Sequence, residues 1–396
     1  MKLKSLLLGS AAVLALSTGA QAADPVVEFV SLGVCDALGM SGLTIESDDT
    51  CLLISGGVQY DYTVENFSWG ATDVADTESD LNWDLAFEAQ TQTDDGVAVA
   101  YISFDEDGTD DINVNEAYAQ FILSNGTALS AGLRDSIFDT EIFDDTYGND
   151  KHDFFDFEID NEEAFGEDFA VTTGGHGIQL EAVVADGFTV LASLEDLEGD
   201  GTAGLGVAYD ASGISAEAGV LFGNLYSTAA TGTDQQVNYY GKVSAEFDNF
   251  AARAGFIADD DGNWVANVGA DATFDMFSLK ADALFNDDEE FAVMGEGSFD
   301  ATETVAVYLG AGYEEVIDAL ETLEIFTVYG GVDVDVTETI TAFAELGYTD
   351  VNGDEDYVYG AGGVTYAPGG NFETSLEGFV ASNENYQVVF SMEKTF

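Results

Sequence analysis

Apolar and polar side chains alternate with a period of two along most of this chain. In the last twelve residues, Asn385 to Phe396, the positions Tyr386, Val388, Phe390, Met392 and Phe396 share one parity. Such a segment is a strand with one greasy face. The pattern starts at Leu52 to Asn66, where Ile54, Val58, Tyr60, Tyr62 and Val64 share a face with Gly56. It returns at Leu81, Trp83, Leu85 and Phe87, with Asn82, Asp84 and Glu88 opposite. A wall between lipid and water has to be written this way.

The connections alternate as well. Phe67 to Asp80 is long, Asp94-Asp95-Gly96 short, Asp105 to Asn113 long and Ser124-Asn125-Gly126-Thr127 short. Residues suited to tight turns follow at Asp186-Gly187, Asp210 to Gly213, Asp248-Asn249 and Asp275-Met276. Long and short connections at opposite ends predict an all-β fold, a transmembrane antiparallel up-and-down β-barrel. A Greek-key sandwich would not keep that order. The strand candidates point to an even number of about 16 to 20, wide enough to enclose water.

One connection departs from the rule. Asp135 to Gly177 holds no long alternating strand, yet it combines many acids with Ile137, Phe138, Phe143, Phe154, Phe155, Phe157 and Phe165. A disordered acidic tail would lack those rings, and a loop of this length in a compact fold has a function or is disordered. It is expected to fold into the lumen as a constriction loop over 135–177.

Composition narrows the class. The chain has 396 residues, 8 basic and 77 acidic, with a formal charge of -69. Residues 1–22 read as a secretory signal peptide: Lys2 and Lys4, an apolar run from Leu6 to Leu16, then Ala20-Gln21-Ala22. That run is too short to span a bilayer, and no long apolar stretch follows. Loss of Lys2 and Lys4 with the leader takes the charge to about -71, which makes nucleic acid and anionic surfaces poor partners. A hydrophobic fraction of 46% argues against a solvated coil. Cys35 and Cys51 precede the first clear strand, and export predicts one disulfide between them. The expected organisation is a signal peptide over 1–22, a disulfide-linked segment over 23–51 and a barrel over 52–396.

Certain residues resemble the porin family of alphaproteobacteria. They are Val34-Cys35-Asp36-Ala37, Thr50-Cys51-Leu52 running into Ile54-Ser55-Gly56 and Tyr60-Asp61, and Glu116-Ala117-Tyr118-Ala119-Gln120-Phe121. Gly132-Leu133-Arg134-Asp135-Ser136 through Phe138-Asp139, and the terminal Phe396, add to them. The resemblance implies a homotrimeric outer-membrane porin of about 16 strands, its third outer loop folded inward, with Phe396 serving barrel assembly. The chain differs from that pattern in its many strand candidates and few basic residues.

Parity places the basic residues independently. Leu129, Ala131 and Leu133 put Arg134 on the other face, and the neighbours of Lys242, Arg253 and Lys280 do the same. Four of the six basic residues that follow the leader therefore face the lumen. On the lipid face near mid-bilayer each would cost about 2–4 kcal/mol. One reading sets Arg134, Lys242, Arg253 and Lys280 across the narrowest section from Asp139, Glu141, Asp144, Asp145, Asp153 and Asp156, giving a transverse field. The other makes the four ordinary lumen residues that neutralise nearby acids. Parity also turns Asp61, Asp84, Glu116, Glu217, Glu296 and Glu345 inward, so the channel should concentrate cations.

Catalytic signals are absent, and no cofactor is expected. Gly199-Asp200-Gly201-Thr202-Ala203-Gly204 matches G-x-G-x-x-G, but a strand follows it and Asp200 would repel phosphate. Asp105, Asp107, Thr109 and Asp111, and Asp350, Asn352, Asp354 and Asp356, space oxygen ligands for Ca²⁺, as chance also would in so acidic a chain. The expectation is a passive channel for small hydrophilic solutes and cations, in contact with outer-membrane lipid and lipopolysaccharide. The rivals are a substrate-selective sugar channel and a Ca²⁺-binding surface adhesin.

Overall fold

The computed structural model describes residues 34–66, 76–106, 112–138, 173–226, 235–287, 290–318, 321–352 and 356–396. A one-turn helix α1 (Val34–Ala37) and a short strand β1 (Leu43–Glu46) lead into β2 (Thr50–Asn66), β3 (Asp76–Gln92), β4 (Gly96–Glu106), β5 (Ile112–Leu123) and β6 (Ala128–Arg134). Beyond the long connection come β7 (Gly175–Ala185), β8 (Phe188–Glu195), β9 (Thr202–Ala211), β10 (Ile214–Gly223), β11 (Gln236–Phe247), β12 (Phe250–Asp259) and β13 (Trp264–Phe274). The chain finishes with β14 (Phe277–Asn286), β15 (Phe291–Thr302), β16 (Val305–Asp318), β17 (Glu321–Thr337), β18 (Ile340–Val351), β19 (Tyr357–Tyr366), β20 (Phe372–Ala381) and β21 (Tyr386–Thr395).

Each strand from β2 to β21 pairs antiparallel with its sequence neighbours, and β21 returns to β2 from Gly57↔Thr395 to Asn66↔Tyr386. The result is a closed barrel of twenty strands. Closure leaves no unpaired edge, the condition a bilayer imposes on a spanning sheet. Twenty is the upper end of the expected even range and exceeds the sixteen implied by the family resemblance. The alternation of Leu81, Trp83, Leu85 and Phe87 falls within β3, and that of Tyr386 to Met392 within β21.

The two ends differ as the connections foretold. At one end β7–β8, β9–β10, β11–β12 and β13–β14 are joined by two residues each. Ser212 and Gly213 both take positive φ, at 58° and 73°, which is what a tight hairpin with matching twist requires of its two central residues. The other end carries the long connections.

Burial is inverted relative to a soluble protein. Leu309, Leu346 and Val380 stay more than 60% exposed, while Gln179, Asn238, Asn267 and Thr327 are buried at 3% or less. The outside is therefore apolar and the inside polar. Aromatic pairs sit on the outside near both rims: Phe188 with Tyr209 and Phe277 with Phe299 by the two-residue turns, Phe291 with Tyr313 toward the opposite end. Such rings suit the interfacial layers. A bulge at Ser103/Phe104 inserts Asn115 opposite and turns Glu116, Tyr118 and Gln120 inward.

The segment before β2 corrects one expectation. Cys51 lies inside β2, which starts at Thr50, and β1 was not legible because Leu43-Thr44-Ile45-Glu46 is too short to show a period. β21 covers the β2 edge only from Gly57 onward, and β1 takes Cys51 to Ile54 on that same edge. Between them Phe396 exchanges backbone hydrogen bonds with Gly56, at 2.9 and 3.2 Å. The Cys35–Cys51 disulfide, with Cα atoms 5.0 Å apart, fastens α1 to the foot of β2. Met40 is buried beside it.

Candidate functional site

The candidate site is the inner wall, and its basic residues are the natural start. Arg134 ends β6. Its Nη1 donates to Ser130 Oγ at 2.9 Å and lies 3.7 Å from Glu181 on β7, while its guanidinium stands 4.9 Å from the centre of the Tyr118 ring. Tyr118 in turn stacks on Tyr101 at 5.2 Å. Next along the chain, the Asp135 amide donates to Glu116 at 3.3 Å.

The other three cations sit further round the wall. Arg253 on β12 donates to Asp271 on β13 at 2.8 Å and also to Asp282 on β14. Lys280 on β14 is in register with Asp271 on one side and Glu296 on the other, and Lys242 on β11 with Glu217 on β10. Arg253 and Lys280 thus form one cluster around Asp271, while Arg134 is separate. Among the described residues, each inward cation stands across from at least one acid. Asp139, Glu141, Asp144, Asp145, Asp153 and Asp156 lie outside the described residues, as do Asp107, Asp111 and Asp354.

Acids on the wall are held by tyrosines. Tyr240 donates to Glu217 at 2.6 Å, Tyr329 to Glu296 at 2.9 Å and Tyr359 to Glu345 at 2.9 Å. Each ring lies over a glycine directly across the ladder: Gly219 under Tyr240, Gly310 under Tyr329 and Gly347 under Tyr359. A Cβ on Gly219 would stand 2.6 Å from the Tyr240 ring, so only glycine leaves the ring flat against the backbone. This pairing was invisible in the sequence, because it joins residues on neighbouring strands whose register is fixed only in the barrel.

A second unforeseen feature is an apolar patch on the inner wall. Leu191, Leu221, Ile257, Val265 and Leu284 all take inward parity, and Phe138 packs among them with 2% exposure. Its ring lies edge-on to Tyr240 at 6.2 Å and over Gly204 and Gly206, where a Cβ would overlap it or come within 3.0 Å. The chain therefore turns into the barrel within four residues of the end of β6. The Phe-rich composition of the long connection was the only signal of this.

The fold and this wall define a transmembrane β-barrel with a charged interior. The family model described as the porin subfamily matches residues 21–381. The chain belongs to the porin subfamily and is an outer-membrane porin. It is 38% identical to porin Omp2a of Brucella ovis over 108 residues, covering 26% of this chain and 31% of the relative. To porin Omp2b of Brucella suis it is 32% identical over 156 residues, 35% of this chain and 41% of the relative. The matched stretches thus span about a third of the length of these curated relatives, 31% and 41%. Solved structures with similarity include a loop L8 deletion mutant of OmpT of Vibrio cholerae, at TM-score 0.44 and 15% identity, covering 88% of this chain and all of that one. A mutant Rh. blastica porin is similar at TM-score 0.42 and 15% identity, covering 87% of this chain and all of that one.

Proposed function

We propose that this porin is a general-diffusion channel: water-filled, cation-preferring, and passive toward small hydrophilic solutes. The observation that carries this reading is the charge balance of the inner wall. Arg134, Lys242, Arg253 and Lys280 are each set against Glu or Asp, and further acids such as Asp61, Glu116 and Glu345 line the same face. The excess of negative charge raises the local cation concentration, an effect that salt weakens. Pairing of the four cations favours the neutralising role over a free basic arc.

The connection from Asp135 onward is the constriction in this reading, with Asp139, Glu141, Asp144, Asp145, Asp153 and Asp156 adding to the negative potential. The turn of Phe138 onto the inner wall supports it. A sugar-selective slide is disfavoured: Tyr240, Tyr308, Tyr329 and Tyr359 are only 2–4% exposed, so their faces cannot stack on a passing ring. The organisation proposed with it is a leader over 1–22, removed on export, ahead of the disulfide-linked segment and the barrel.

A homotrimer completes the proposal. On the outer wall Ala89, Ala100, Ala119 and Ala131 lie in one cross-strand row over β3 to β6, directly opposite one another. Leu52 and Phe87 flank the shallow groove they make. Small side chains let a second wall approach closely, where lipid would meet bulkier residues elsewhere.

Liposome swelling tests the channel. Entry of neutral sugars should slow smoothly with size, and a cationic amino acid should enter faster than an anionic one of equal size. Saturation by one sugar, or faster anion entry, would refute general diffusion with cation preference.

A further inference from the structure

The two ends of the β6–β7 connection meet a buried polar network that the wall does not need for its own pairing. Glu195, the last residue of β8, is completely buried. One of its oxygens accepts from the Gly174 amide at 2.7 Å, and the other from Gln179 Nε2 at 3.2 Å. The same Gln179 amide group donates to the Asp135 carbonyl at 2.7 Å. Asp135 begins the connection and Gly174 ends it, so one pair of side chains holds both stems. Ser130 links in by donating to Gln179 Oε1 at 3.3 Å, and it receives the Arg134 guanidinium.

The chemistry requires a carboxylate at 195. Gln179 has its orientation fixed, since its NH₂ must reach the Asp135 carbonyl and its oxygen takes the Ser130 hydroxyl. The group beyond it must therefore accept, and the group facing the Gly174 amide must accept too. Only an acid offers an acceptor on both atoms; a glutamine would set an NH₂ against one donor or the other. A buried carboxylate is costly, and a residue that merely filled the space would be an amide or apolar. The second fastening is the Phe138 ring in the socket left by Gly204 and Gly206.

We propose that Glu195, acting through Gln179, is a positioning residue for the solute path: it fixes where both stems leave the wall, with Phe138 as the apolar half of the same anchor. This rests on the channel reading above. Pore dimensions follow the placement of lining groups closely, so loosening either anchor should alter conduction without opening the barrel.

The test is single-channel recording of the full-length protein in planar bilayers, for the wild type, E195Q, F138A and F138L, with heat-modifiable migration as the check on folding. The expected result is that E195Q and F138A fold, with single-channel conductance shifted and more broadly distributed than wild type, while F138L keeps wild-type values. Should E195Q not reach the heat-modifiable form, Gln179→Met, which removes only the amide, takes its place under the same criterion. Wild-type conductance in the folded acid or amide variant overturns the proposal, and wild-type conductance in F138A removes Phe138 from it. Absence of any conductance in the wild type would instead sink the channel reading itself.

Discussion

Arg253 reaches across Gly269 to Asp282, whose side chain is fully buried although it lies on the inner wall of the barrel. The guanidinium also holds Asp271, so one cation serves two acids on successive strands.

Arg253→Met leaves Asp282 buried and without its cation. Removal of one partner from a buried pair costs about 3 kcal/mol, so the variant should unfold at lower urea in detergent. R253M/D282L should recover most of that loss, because two apolar groups need no partner. An unchanged midpoint for R253M would show that the pair carries no stability.

The tyrosine and glycine pairs predict a size rule. Gly310→Ala puts a methyl where the Tyr329 ring lies, and such overpacking should cost about 1–3 kcal/mol. Tyr329→Phe keeps the ring and loses the hydroxyl that bonds Glu296, so about 1 kcal/mol is expected. Equilibrium unfolding separates the two. A larger loss for Y329F than for G310A would contradict the close fit.

The disulfide should act locally. Its loop is short, and the chain-entropy model assigns about 3 kcal/mol to one of that size. In C35S/C51S the barrel should keep its heat-modifiable migration, while amide exchange over Leu43 to Glu46 becomes fast. Loss of the folded barrel would mean that β1 is needed for closure, where β1 and Phe396 meet end to end on β2.

The alanine row predicts the oligomer. Ala119→Trp places a large ring in the middle of the row, and the detergent-solubilised mass should fall from a trimer to a monomer with barrel migration intact. A trimer of unchanged stability would move the subunit contact elsewhere.

Legibility followed the range of the interaction. The barrel could be read because the alternation of Leu81, Trp83, Leu85 and Phe87 with their polar neighbours is written residue by residue, and membrane thickness repeats it in every strand. The same local rule placed Arg134, Lys242, Arg253 and Lys280 inward. What each of them meets could not be read. Asp282 is Arg253's partner only through a register set by two turns, and Gly310 takes the Tyr329 ring only across a ladder. Glu195 and Gln179 carry no local signal of their role, because the stems they bind come from either end of a connection some forty residues long. β1 escaped for the opposite reason: four residues carry too little pattern to separate from a loop.

In the proposed channel the inner wall of the barrel carries water and an excess of negative charge. Zero-current potential across a planar bilayer under a KCl gradient measures both at once. The expected potential has the sign set by cation flow and shrinks as total salt rises. A bilayer that stays silent, or a potential of the anion-selective sign, would contradict it.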